Sequence, residues 1–225
     1  MIFSITFVVP LIFFRAIRQP KASDRYLYLM ARLWARSLVT VAGGKVEVRG
    51  LEHLPKESNI CFISNHQGVF DIPIIMGYVP KPLFFIAKRE LKYIPILGFW
   101  IAVSRCIFID RKDKRQSVKA IQKGVDQIKQ GYPTVIFPEG TRSRCDTMGE
   151  FKSGSLKLAL RSNARIVPLT INGSYKIREE KKGIIAPADI TLTVHPVIDV
   201  STLSEEEKKD LAGRLWKIVN AGLEK

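Results

Sequence analysis

Cysteine and histidine are both scarce in this chain, with three of each among 225 residues. Cys61, Cys106 and Cys145 show neither the spacing of a disulfide framework nor a metal-ligand spacing with the histidines. No metal site is therefore expected, and the thiols suit a reducing compartment. Cys61 and Cys106 lie in apolar runs and read as small core residues. Acidic residues are also in short supply, 21 against 36 Lys and Arg, for a net charge of +15. That imbalance points to an anionic partner: nucleic acid, an anionic membrane surface or a phosphorylated substrate. Long apolar runs are missing too. Residues 1–14 are uncharged and mostly apolar, but a crossing helix needs about 20 such residues. With no basic leader and no small-residue cleavage site, a signal peptide is not expected either. There is no internal repeat, and the length suits one compact domain with an appendage.

What is present begins with a helical pattern from Ser23 to about Ala42. Leu27, Met30, Trp34, Leu38 and Val41 share one face, and Arg25, Arg32 and Arg36 another. Together with residues 1–14 and with Arg15, Arg18 and Lys21, this describes a membrane-anchoring helix pair over residues 1–42. Such a pair lies in one leaflet with its cations at the headgroups. The alternative for residues 23–42 is a helix packed on the core, its arginines solvated. Gly43-Gly44 marks a boundary, and residues 43–225 read as one α/β domain, its sheet flanked by helices.

Strands are expected at 45–49, 59–64, 83–87, 106–109, 134–137, 166–171 and 190–197, from short apolar or alternating runs. Helices are expected from about Asp71 to Tyr78, over 114–130 with Gly131 as its stop, and over about 155–161. A last helix starts at the capping box of Ser204 and Glu207. Residues 174–188 read as a polar, basic loop, and His195, on a late strand, as structural.

The segment with chemical content is Asn65-His66-Gln67-Gly68-Val69-Phe70-Asp71. It follows a buried strand and enters a helix, so a histidine and a carboxylate meet near a strand end, a plausible acid–base site. Asp71 as a mere helix N-cap and His66 as a loop histidine bonded to a backbone carbonyl form the competing reading. Five residues along a continuous helix would rotate about 500° and part the two side chains. The pair can meet only if Gln67-Gly68 turns first, and glycine suits such a turn. Other strands also end in charge: Lys88-Arg89, Asp110-Arg111, and Glu139 to Arg144. Ligands bind at the carboxyl ends of strands in α/β sheets, so these ends together suit base chemistry beside a phosphate-bearing substrate. Nucleic-acid binding predicts aromatics interleaved with the basic clusters, and the Arg142 region has none.

Four ordered blocks between residues 60 and 171 resemble the glycerolipid acyltransferase family, most closely bacterial 1-acylglycerol-3-phosphate acyltransferases. They are Asn65-His66 through Asp71; Phe108-Ile109-Asp110-Arg111, preceded by Ala87-Lys88-Arg89-Glu90; Phe137-Pro138-Glu139-Gly140-Thr141-Arg142-Ser143; and Ile166-Val167-Pro168-Leu169. The resemblance implies that His66 is the general base on a glycerol hydroxyl, which attacks an acyl thioester directly. Asp71 fixes the histidine tautomer. Lys88, Arg142 and Arg144 are the first choices for gripping the substrate phosphate, with Arg89 and Arg111 next, an ion pair being the alternative for Arg111. Gly140 and Thr141 belong to the same binding block. Glu139, acidic amid cations, is expected to orient an arginine or a substrate hydroxyl, and Asn65 to orient the histidine loop or end the strand. The apolar stretch from Tyr93 to Val103 is expected mostly as core, or as the lining of an acyl-chain groove. Two departures stand out: Gly68 replaces a common serine, and Arg105 a common glycine.

The implied reaction acylates lysophosphatidic acid to phosphatidic acid on the cytoplasmic face of an anionic phospholipid membrane. Acyl-CoA or acyl-carrier protein is the donor, with no further cofactor and no nucleic acid. The alternatives are another acceptor, such as glycerol 3-phosphate or a lysophospholipid, and a non-catalytic basic membrane-binding module.

Overall fold

The structure, a computed structural model, describes residues 20–94, 97–110 and 113–223. Residues 1–14, expected to form the first helix of the N-terminal pair, and Arg111 lie outside these. The described chain is an α/β fold with one mixed sheet flanked by helices. Its strands are β1 (Gly44–Arg49), β2 (Ile60–Ser64), β3 (Phe84–Lys88), β4 (Ile107–Ile109) and β5 (Thr134–Ile136), followed by β6 (Arg165–Asn172), β7 (Ala188–Val194) and β8 (Ile198–Asp199). The helices are α1 (Pro20–Val41), α2 (Asp71–Tyr78), α3 (Leu97–Val103), α4 (Lys114–Lys129), α5 (Ser153–Ser162) and α6 (Glu205–Ala221). The order across the sheet is β1-β7-β6-β2-β5-β3-β4, with β8 also on β6. Strands β6, β2, β5, β3 and β4 run parallel, and β7 runs antiparallel to β6. The parallel strands therefore all end at one edge of the sheet.

β2 is the spine of this arrangement, and its alternation sorts the core into two layers. All five of its residues are buried, as expected for a parallel strand covered on both faces. Ile60 and Phe62 point to the layer that holds Ile74 and Ile75 of α2 and Val39 of α1. Cys61 and Ile63 point the other way, against Ile128 of α4, Leu156 and Ala159 of α5, and Leu211, Leu215 and Val219 of α6. Burying each such aliphatic side chain is worth roughly 1.5–3 kcal/mol, so a strand contacting both layers fixes where its last residue ends. That residue, Ser64, is followed directly by Asn65 and His66.

The helix ends follow their local chemistry. Asp113 caps α4 by accepting from the N–H groups of Arg115 and Gln116 at 2.8 and 3.1 Å, and Gly131 beyond it takes a φ of 83°. Ser204 and Glu207 form the reciprocal capping box of α6. β8 was not expected; Ile198 and Asp199 are too short a run to show periodicity. Tyr93, Ile94 and Phe99, expected mostly as core, are 71%, 45% and 49% exposed. Tyr93 ends a short 3-10 helix, Arg89–Tyr93, Ile94 follows it directly, and Phe99 lies in α3, near β4, the edge strand of the sheet among the described residues.

The face of α1 against the protein is not the one its largest apolar residues mark. Ala35, Val39 and Ala42 are buried, while Leu33, Trp34 and Val41 are 58%, 53% and 87% exposed. Arg32 and Arg36, expected at headgroups or in solvent, instead donate from Nε to the carbonyl of Gly77 at 3.1 and 2.8 Å. Arg36 also lies 5.0 Å from the centroid of the Tyr78 ring. The reason is close packing: a Cβ on Gly77 would sit 3.1 Å from Cγ of Arg36. The last-turn carbonyls of α2 lack helical donors, and the two guanidinium groups supply them. Arg36→Ala leaves Gly77 only Arg32. A loss of about 1 kcal/mol is expected in urea unfolding, read as a lower midpoint at unchanged slope.

Candidate active site

His66 is held at four places. Its N–H donates to Oε1 of Glu139 at 2.7 Å, and its carbonyl accepts the N–H of Ser143 at 2.8 Å. Its ring stacks on Phe137, centroids 4.1 Å apart and planes 18° from parallel. Its Nδ1 lies 2.6 Å from Oδ2 of Asp71. Chain turning makes that last contact possible: Gln67 to Phe70 form a bend before α2 begins at Asp71. A carboxylate only accepts, so Nδ1 carries the proton and the lone pair is left on Nε2. Nε2 accepts nothing among the described residues.

Asp71 is fully buried and satisfied by three donors. Besides the imidazole, Oδ2 accepts the N–H of Gly68 at 2.9 Å, and Oδ1 accepts the hydroxyl of Ser174. As the first residue of α2 it also places its charge at the helix's positive end. Around it, the turn after β2 is stitched to the end of β6. Asn65 pairs with the backbone of Ile171 in both directions at 2.8 Å, and Oε1 of Gln67 accepts the N–H of Gly173 at 3.0 Å. Asn65 thus orients the loop through the neighbouring strand.

Glu139 is buried, and both its oxygens are taken by backbone: Oε1 by His66 and Oε2 by the N–H of Gly149 at 2.9 Å. Burial pushes its carboxyl above the ordinary range, and those two N–H bonds pull it back. It positions the histidine backbone and pairs with no arginine in the described residues. Gly140, with a φ of 74°, lets the chain reverse after it, and Thr141 is exposed. The reversal returns the N–H of Arg144 to the carbonyl of Gln67 at 3.0 Å, with Arg144 itself left-handed at a φ of 64°.

The expected cations fall into two groups. Arg142 and Arg144 border a hollow of about 450 Å³ together with Arg178, Glu179, Lys182 and Gly183. Lys88 and Arg89 stand two strands from β2 at the same sheet edge, paired with Glu90 at 3.1 Å and with Asp110 at 3.0 Å. Arg105, at the position where a glycine is common, takes the left-handed φ of 56° that glycine accommodates. Its guanidinium pairs with Asp24 at 3.3 Å and lies 4.9 Å from the centroid of the Tyr132 ring.

Sequence reasoning missed Glu179 and Ser174, both just past β6. Glu179 accepts the N–H of Val69 at 2.9 Å and pairs with Arg142 at 3.5 Å. It also explains Gly68, whose φ is not left-handed. Glycine is needed for space there, not for backbone freedom: a Cβ would lie 2.6 Å from Oε2 of Glu179. No local pattern marks either residue, because the loop residues they bond, Val69 and Asp71, are more than 100 positions away in the chain.

The fold and this site define an α/β protein with a histidine oriented by a buried carboxylate at the carboxyl edge of its sheet, next to a basic hollow. A family model described as Acyltransferase matches residues 45–172. The chain is 33% identical to the 1-acyl-sn-glycerol-3-phosphate acyltransferase of Borreliella burgdorferi, over 83% of this chain and 75% of that one. It is 31% identical to a chloroplastic enzyme of the same name from Brassica napus over 78% of this chain, and spans about half of that longer protein, 52%. The crystal structure of the 1-acyl-sn-glycerophosphate acyltransferase PlsC from Thermotoga maritima superposes with a TM-score of 0.83 at 29% identity, covering 97% of this chain and 88% of that one. The chain belongs to the acyltransferase family.

The contact between Gly68 and Glu179 predicts a coupled pair. Gly68→Ala drives its methyl into the Glu179 carboxylate and releases Val69 and Arg142, so kcat/KM is expected to fall about tenfold. Glu179→Ala should cost a similar factor. In the double variant the second change should add little, and fully additive losses would show that the two act separately.

Proposed function

We propose that the chain transfers a fatty acyl group from an acyl thioester to the sn-2 hydroxyl of 1-acylglycerol 3-phosphate, giving phosphatidic acid. The observation that carries this reading is the bond from His66 to Asp71, which leaves the lone pair on Nε2, in a turn whose neighbouring segment carries Arg142 and Arg144. In the reaction Nε2 takes the proton of the acceptor hydroxyl as its oxygen attacks the thioester carbonyl. The tetrahedral intermediate collapses, the carbon–sulfur bond breaks, and the imidazolium returns its proton to the departing thiolate. Asp71 stabilises the imidazolium between these steps. Acyl-CoA and acyl-carrier protein are both acidic, and either suits the basic surface as donor. The relatives named 1-acyl-sn-glycerol-3-phosphate acyltransferase support the acceptor.

The enzyme works at an anionic membrane surface, on its cytoplasmic face. Among the described residues no helix is long and apolar enough to cross a membrane. Support for a surface position comes from α1, which turns Leu33, Trp34 and Val41 outward on a chain of net charge +15. Exposed apolar side chains on a basic protein suit an anionic membrane surface.

Two measurements test this reading. Purified protein supplied with lysophosphatidic acid and either donor should form phosphatidic acid, and His66→Ala should lower kcat by about 10³-fold or more. Transfer undiminished in His66→Ala would rule the mechanism out. Replacing Leu33, Trp34 and Val41 together by serine should leave the fold intact, since all three are exposed, yet sharply reduce sedimentation with anionic vesicles. Vesicle binding equal to that of the unaltered protein would remove α1 from the membrane contact.

A further inference from the structure

Charge is spread unevenly over the helices that cover the second core layer. On α6 cations meet carboxylates: Lys208 pairs with Glu205 at 2.8 Å and Arg214 with Glu207 at 3.6 Å. α4 differs. It carries five cations and one carboxylate, Asp126, whose Oδ1 is taken by Nε2 of Gln122 at 3.0 Å. Arg115, Lys119 and Lys123, spaced four residues apart, form an exposed stripe, and among the described residues none of the three is in an ion pair. Val118 lies within this face and is 59% exposed. α5, whose Leu158 packs against Gly124 of α4, adds exposed Lys157 and Arg161 and has no acid. Like charges at i and i+4 destabilise a helix. Arg115 also stands in the first turn, where no acid offsets it at the positive end of the helix dipole. The stripe therefore weakens its own helix until an anionic partner covers it.

We propose that this face of α4 docks an acidic carrier protein that delivers the acyl thioester. The inference rests on the acyl transfer proposed above and concerns its donor. Shape and placement select the partner. Small ligands such as a nucleotide settle in concave sites, whereas an outward helix face with an apolar residue among charges has the make-up of a protein interface. The face is also turned away from the proposed membrane contact. α1 covers the core layer through Val39, and α4 the opposite layer through Ile128. A bilayer touching Leu33, Trp34 and Val41 thus leaves α4 in solution. The stripe begins at the edge of the sheet where the histidine stands. Oγ of Ser117 donates to the carbonyl of Asp110 at 2.7 Å, and Nη1 of Arg89 to Oε1 of Gln116 at 3.5 Å. These bonds tie the first turn of α4 to the carboxyl ends of β4 and β3. From β4 to β2, which His66 follows, there are three strand spacings, roughly 14 Å. An extended pantetheine arm spans about 16 Å, so a carrier seated on α4 can present its thioester to His66.

The test neutralises the stripe with Arg115→Gln, Lys119→Gln and Lys123→Gln together, glutamine being a good helix former at exposed positions. With acyl-carrier protein as donor the KM should rise about tenfold or more, while the KM values for acyl-CoA and lysophosphatidic acid stay within about twofold. An unchanged carrier KM, or an equal rise with acyl-CoA, would overturn the assignment. Calorimetric binding of apo-acyl-carrier protein, which lacks the arm, needs no turnover. The unaltered protein should bind it measurably and the triple variant about tenfold more weakly, and equal binding by both would refute the surface. Were the unaltered protein inactive in acyl transfer, the activity would be struck out while this binding difference still decided the role of α4. Val118→Lys adds a cation but removes the apolar side chain, so it should weaken carrier binding severalfold. Tighter binding would mean diffuse charge attraction without docking. At physiological ionic strength, where long-range charge is screened, the triple variant should sediment with anionic vesicles like the unaltered protein. A loss there would give the stripe to the membrane and overturn the carrier assignment.

Discussion

The contact between Nδ1 of His66 and the buried carboxylate of Asp71, 2.6 Å long, sets the demands that the surrounding structure meets. A carboxylate with no access to water must find donors within the protein, and Asp71 finds them on three sides. Gly68 supplies one from the turn, Ser174 another from beyond β6, and the histidine the third. Because the carboxylate can only accept, the imidazole proton is committed to Nδ1 and the lone pair is left on Nε2. The turn at residues 67–70, the small residue at 68 and the serine at 174 all serve that single pairing.

The sheet makes the pairing reproducible. β2 is buried on both faces and flanked by β5 and β6 in parallel register, so its end cannot slide without disturbing both core layers. Each neighbour then contributes a clamp. The segment after β5 brings Phe137 against the imidazole and Glu139 onto the backbone of His66. The end of β6 brings Ile171 onto Asn65. The same two segments carry the arginines and the lysine of the basic hollow, so the positive field and the base are positioned by one set of contacts.

Much of this was legible in the sequence, and the reasons are local. Strands such as 60–64 and helices such as 71–78 and 114–129 announce themselves through periodicity, caps and glycine stops, and the need for a turn between His66 and Asp71 follows from helical rotation alone. Pairings set by distant segments were not legible. The two arginines of α1 look like solvated or headgroup-facing charge until Gly77 presents a carbonyl to them. Gly68 looks like a conformational glycine until Glu179, 111 positions further along, is seen to fill the space above it. Glu139 sits among cations in sequence, yet in space it accepts backbone N–H groups. Lys88 and Arg89 share the right sheet edge with the catalytic turn, but local carboxylates hold them.

The central claim is that Asp71 acts through the tautomer of His66, and Asp71→Asn tests it most directly, because an amide fills the same volume but can place a donor against Nδ1. The account predicts that this variant folds with unchanged circular dichroism. It also predicts a fall in kcat for phosphatidic acid formation of about 10³- to 10⁴-fold. A folded Asp71→Asn variant that keeps kcat within a few-fold of the unaltered protein would contradict it.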